Sequence, residues 1–258
     1  MGLTMSCDNR IGDSVFNPEL ISEVGQEDLG DQIFDALISD ISPYDVLPFE
    51  EHELLYKYVD QLYLQSYRIL RSSDNWTKSR DWRIAIVREE NQGAFTLPGG
   101  NIVITTGMLK TFRAEYELYY LLSFENALMN NEDIYFSNIA SFIENTIDLE
   151  ELINNPDRAK ALEIGIELYE EQSFSAFDIS TIDRMAMELI CESGSWRNDG
   201  LIQFLTRLNP DSVWMLSRPS VINRVDEVSS ISAQLSCNNT IRERTPNFYI
   251  DEVLPLIP

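Results

Sequence analysis

Two short apolar runs, Ala94 to Leu97 and Ile102 to Thr105, are separated only by the four residues Pro98-Gly99-Gly100-Asn101. Proline presets φ, and glycine and asparagine accept turn conformations closed to other residues, so the chain must reverse there and bring the two runs together as strands. Trp82 to Val87 alternates well enough to supply a third strand, and a small antiparallel sheet is expected.

Almost everything else carries helical periodicity. Ile33, Leu37, Ile38 and Ile41 recur at helical spacing before the Ser42-Pro43 stop. From Pro48 to about Ser72 a long apolar stripe, including Leu55, Tyr58, Val59 and Leu62, predicts a core helix with proline near its first turn. After Gly107 the same reading gives a short helix to Phe112, then helices over Glu115 to Met129, Glu132 to Asn145, Pro156 to Glu171, Ile179 to Glu192, Asp199 to Leu208 and Pro219 to Leu235. The expected class is α+β, mostly helical, with the small sheet packed on a helix.

A length of 258 residues fits one large domain with modest extensions. Residues 1–27 are polar and acidic without sustained periodicity and read as a tether; 28–240 form the domain; 241–258 read as an extended, proline-containing tail. The formal net charge of -24 repels phosphate backbones and anionic lipid headgroups, so nucleic acid is excluded as a partner. The single histidine, His52, excludes any mechanism that needs two imidazoles from one chain. His52 itself lies in the long helix before the sheet and reads as a solvated side chain. Cys191 and Cys237 form either one bridge or two buried thiols, and the sequence leaves both open.

Gly93-Ala94-Phe95-Thr96-Leu97-Pro98-Gly99-Gly100-Asn101-Ile102-Val103-Ile104-Thr105-Thr106-Gly107-Met108-Leu109 resembles the strand, turn and strand that precede the active-site helix of CAAX prenyl protease and HtpX-type zinc metallopeptidases. The segment Glu117 to Leu128 lies where that family carries its H-E-x-x-H helix. In that register the two histidines fall on Phe124 and Leu128, and the general base falls on Glu125. Phe177 to Ala186 resembles the segment with the third ligand, which falls on Ile179, followed by the supporting aspartate at Asp183. Arg218-Pro219-Ser220-Val221-Ile222-Asn223-Arg224-Val225 resembles the family's closing H-P-x-x-x-x-R-[IV] segment, with Arg218 in place of its histidine and Arg224 matching its arginine. The resemblance covers roughly residues 48–235.

The resemblance implies a zincin-like fold whose zinc ligands have become hydrocarbon side chains, so no zinc and no other cofactor is expected. Glu125 would be vestigial as a base, since without a metal-bound water it has nothing of low pKa to deprotonate; the plainer reading is a carboxylate paired with a cation. Asp183, Arg218 and Arg224 would be vestiges of the supporting shell. In the family an extended peptide pairs with the strand beside the active-site helix, which makes Ala94, Phe95, Thr96 and Leu97 the candidate peptide-binding edge. The expected function is an inactive metallopeptidase-like domain that binds a protein or peptide; the alternative is a hydrolase with a remodelled carboxylate site of Glu125, Asp178 and Asp183. Leu3-Thr4-Met5-Ser6-Cys7 resembles the end of a bacterial lipoprotein signal, and it implies an extracytoplasmic protein, periplasmic or at the outer membrane, held to a membrane only by lipid on Cys7. The six residues before Cys7 fall short of a charged region plus an apolar stretch of about 7–15 residues, so chance similarity is the competing reading.

Overall fold

The computed structural model describes residues 23–72, 82–131, 134–135, 138, 157–171, 173–194, 196, 200–218, 224–235, 237 and 247–258. The helices are α1 (Glu23–Leu37), α2 (Glu53–Ser72), α3 (Thr106–Thr111), α4 (Glu115–Asn130), α5 (Arg158–Glu171), α6 (Ala176–Ser193), α7 (Gly200–Arg207), α8 (Val213–Leu216) and α9 (Arg224–Gln234); the strands are β1 (Ile84–Val87), β2 (Ala94–Thr96) and β3 (Ile102–Thr105). The fold is α+β and mostly helical, with one three-stranded mixed sheet.

The hairpin forms as its turn chemistry requires. Gly99 and Gly100 take φ of 79° and 96°, a region costly for any residue with a Cβ, and β2 pairs antiparallel with β3. The expectation of a wholly antiparallel sheet is corrected: the order is β1-β3-β2, with β1 parallel to β3. All four residues of β3 are buried, and it takes the central place with β1 and β2 as the two edges.

α4 is the centre of the molecule. It is apolar on nearly every side, and every residue from Glu115 to Met129 is buried, which a helix achieves only when surrounded. It packs against α2, α6, α7 and β2. Local chemistry sets the neighbouring boundaries: Thr105 Oγ accepts from the Met108 amide to start α3, Ser175 Oγ accepts from the Asp178 amide to start α6, and Gly194 ends α6 in the left-handed region. α1 lies across the Pro98–Gly100 turn, and a Cβ on Gly30 would overlap the Pro98 carbonyl.

Several expected boundaries move. α1 begins at Glu23, inside the segment read as a tether, and ends at Leu37. α2 starts at Glu53, because the Pro48 carbonyl is used by the Glu51 and His52 amides in a turn before it. From residue 247 the C-terminal tail is not extended: a π turn at Tyr249–Val253 and a 3-10 turn at Leu254–Leu256 bury Tyr249 and Val253, and the Tyr249 hydroxyl donates to the Leu109 carbonyl at 2.7 Å. Most of the helix expected over 132–145 lies outside the described residues, as do 219–223 and Cys7. Cys191 and Cys237 are joined in a disulfide that ties α6 to the segment after α9, with Cα atoms 5.0 Å apart. No helix among the described residues is long and apolar enough to cross a membrane.

Candidate functional site

Where the resemblance places a zinc centre, the structure holds two buried ion pairs set about aromatic rings. Glu125, on α4, is fully buried. Its Oε1 accepts from the Arg218 guanidinium at 3.0 Å and from the Trp214 indole at 3.0 Å, and its Oε2 accepts from the Thr96 hydroxyl at 2.8 Å. Asp183, on α6, is equally buried and is gripped by both forks of Arg224, Nε to Oδ2 at 2.9 Å and Nη2 to Oδ1 at 2.8 Å, while the Tyr120 hydroxyl donates to Oδ1.

The pairs share one environment. The Arg218 guanidinium carbon lies 5.6 Å from the Phe124 ring centre and 5.1 Å from that of Trp214; for Arg224 the distances are 5.2 Å and 4.5 Å. Phe124 and Trp214 meet at 5.4 Å, edge to face. Charge on each arginine is therefore balanced by one carboxylate and supported by aromatic faces, the arrangement in which burying a guanidinium is tolerable. Burial pulls the Arg218 cation below its ordinary pKa, with Glu125 opposing the shift. At Arg224 burial pulls the same way but is outweighed by Asp183 and Tyr120 together, and the pKa rises.

Tyr120 is pushed well above the usual tyrosine range, first by burial and then by the charge of Asp183, so its hydroxyl remains a donor. Tyr249 is raised too, by burial and by Glu117. Because the folded pKa exceeds the unfolded one, the stability these tyrosines contribute is complete below about pH 10 and declines above it, by about 1.4 kcal/mol per tyrosine for each pH unit until the folded pKa is reached. Alkaline titration is expected to show tyrosinate absorbance rising together with loss of helical circular dichroism. Independent ionisation of Tyr120 or Tyr249 in a still-folded chain would contradict this.

Phe124, Leu128 and Ile179 are buried in the common core on α4 and α6, which pack together. Their side chains offer a metal no donor atom, and among the described residues no group of three or more His, Cys, Asp or Glu side chains converges. A resident zinc ion does not fit these residues. Asp178 does not join Glu125 and Asp183: it lies in the first turn of α6, where the capping Ser175 Oγ donates to its carboxylate at 2.6 Å. His52 sits on the turn before α2.

The candidate edge at β2 is closed in this structure. Its residues pair with β3 through Phe95, so the carbonyls of Gln92, Ala94 and Thr96 face outward. The Trp214 amide donates to Gln92 O at 3.2 Å, Arg218 Nη2 to Ala94 O at 3.2 Å, and the Tyr135 hydroxyl to Thr96 O at 2.7 Å. Ala94, Phe95, Thr96 and Leu97 are all buried. The Trp214 main-chain amide and the Arg218 and Tyr135 side chains thus occupy the acceptors that an added strand would use.

Sequence reasoning placed Glu125, Asp183, Arg218 and Arg224 in one neighbourhood but missed Thr96, Trp214 and Tyr120 as their partners. Trp214 stands on α8, a single turn that Ser212 caps by accepting from the Met215 amide and that is too short to leave a periodic signal. No protein-family model matches the sequence, and no curated protein matches it; the likeness to CAAX prenyl protease and HtpX-type peptidases rests on the motifs alone.

Proposed function

We propose that this chain is a zincin-like domain that no longer catalyses and instead binds a protein or peptide in the cell envelope, held to a membrane, if at all, by lipid on Cys7. The observation that carries the reading is the state of Glu125. A general base needs a substrate proton within reach and a free lone pair aimed at it. Glu125 has no exposure, and both of its oxygens accept from buried donors, one of them the guanidinium of Arg218. A cation on a side chain stands where the resemblance calls for a ligand-bound one, and the carboxylates are neutralised without metal.

Metal analysis tests this. Wild type is expected to carry no stoichiometric zinc, and a variant combining Phe124→His, Leu128→His and Ile179→Glu with Arg218→His is expected to bind it. Adding Arg218→His matters because a guanidinium beside Glu125 would repel the ion. Failure of a folded variant to gain zinc would mean that the register is wrong. Stoichiometric metal in wild type, or peptide hydrolysis abolished by Glu125→Gln, would establish the remodelled hydrolase instead.

A further inference from the structure

The sheet has a second edge, part of which no described residue covers. Along β1 the carbonyl of Arg83 accepts from the Ile102 amide, so residues 83, 85 and 87 face β3, and 84 and 86 face outward. Ile86 is covered: its carbonyl accepts from the Leu47 amide at 2.8 Å and its amide donates to the Tyr56 hydroxyl at 3.1 Å. The covering segment leaves the edge after Leu47, where the Pro48 carbonyl accepts from the Glu51 and His52 amides in a turn that leads into α2. Ile84, next along the edge, has no hydrogen-bond partner for its outward amide and carbonyl among the described residues.

Ile84 also lines a groove of about 390 Å³ with Phe34, Ile38, Phe49 and Tyr56. Ile38 is 43% exposed and Phe49 50%, so two large apolar side chains stand open to solvent on one groove. The rim is acidic. Lys57 is already paired with Glu53 at 2.6 Å, and Arg83 with Asp31 at 2.7 Å and Asp35 at 2.6 Å, while Asp60 lines the groove and Glu50 and Glu51 follow Phe49 on the exposed turn.

We infer that the β1 edge at Ile84, with the groove beside it, is the docking site for an extended peptide that carries an apolar anchor flanked by lysine or arginine. Unused edge groups supply main-chain pairing, the groove takes the anchor, and the carboxylates select basic flanks and reject acidic ones. This rests on the binding reading above but moves the contact from β2, which is closed, to the opposite edge of the sheet.

The test uses the intact chain and a pool of acetylated heptapeptides alternating basic and apolar residues, with the best binder measured by fluorescence anisotropy. Binding is expected to weaken at least tenfold on Ile84→Pro, which removes the outward amide without touching the β1–β3 ladder, and at least tenfold on Phe49→Asp, made at an exposed position. It should also weaken with salt, and hydrogen exchange at the Ile84 amide should slow on binding. If no peptide binds, or if binding ignores both variants, the inference is overturned. Binding that ignores both variants leaves the binding-module reading standing with its site elsewhere, whereas zinc or hydrolysis in wild type removes the inactive reading and leaves the β1 measurement unaffected.

Discussion

Replacing Arg224 with methionine is expected to lower the free energy of unfolding by about 3–5 kcal/mol, because among the described residues it leaves the Asp183 carboxylate in the core with the Tyr120 hydroxyl as its one side-chain donor. Arg218→Met is expected to cost less. Arg218 gives Glu125 one hydrogen bond, and the Thr96 hydroxyl and Trp214 indole remain to hold that carboxylate. The penalty in both cases comes from an uncompensated buried charge rather than from the worth of the pair, so removing both partners should recover most of it. Asp183→Leu with Arg224→Met is therefore expected to be markedly more stable than Arg224→Met alone. Urea unfolding of the single and double variants decides the matter, and a single variant that loses under about 1 kcal/mol would show that water reaches Asp183.

Removing the disulfide is the other large effect. Cys191 and Cys237 are separated by 46 residues, and opening a loop of that size is expected to cost about 4 kcal/mol through the freedom regained by the unfolded chain. The double variant Cys191→Ser, Cys237→Ser, and wild type treated with a thiol reductant, should unfold at the same lowered denaturant concentration. Equal stability of oxidised and reduced wild type would mean that the bridge does not form in solution.

Much of the architecture was legible in the residues. The Pro98-Gly99-Gly100-Asn101 cluster permits little but a reversal, and the apolar spacing of α2 and α4 has one helical solution. The parallel pairing of β1 was not legible, since strand direction depends on the path of the chain between β1 and β3, a property of the whole packing rather than of Ile84 to Val87. The folded tail was missed for a related reason: Pro246 and Pro255 suggest extension, but burial of Tyr249 and Val253 outweighs that local preference.

At the site, the sequence by itself determined that Phe124, Leu128 and Ile179 cannot ligate a metal, because side-chain chemistry does not depend on the fold. It also determined that a lone histidine rules out two-imidazole schemes. Only the tertiary structure decided what became of the charged residues left behind. Glu125 and Arg218 are 93 positions apart, and Asp183 and Arg224 are 41 apart, so no local rule pairs them. They meet because α4 and α6 pack together, carrying Glu125 and Asp183 into a dry core where each carboxylate must find a cation. Arg218, in finding its carboxylate, also reaches the Ala94 carbonyl and helps to cover one edge of the sheet, while the turn after Leu47 leaves Ile84 on the other edge without a main-chain partner among the described residues.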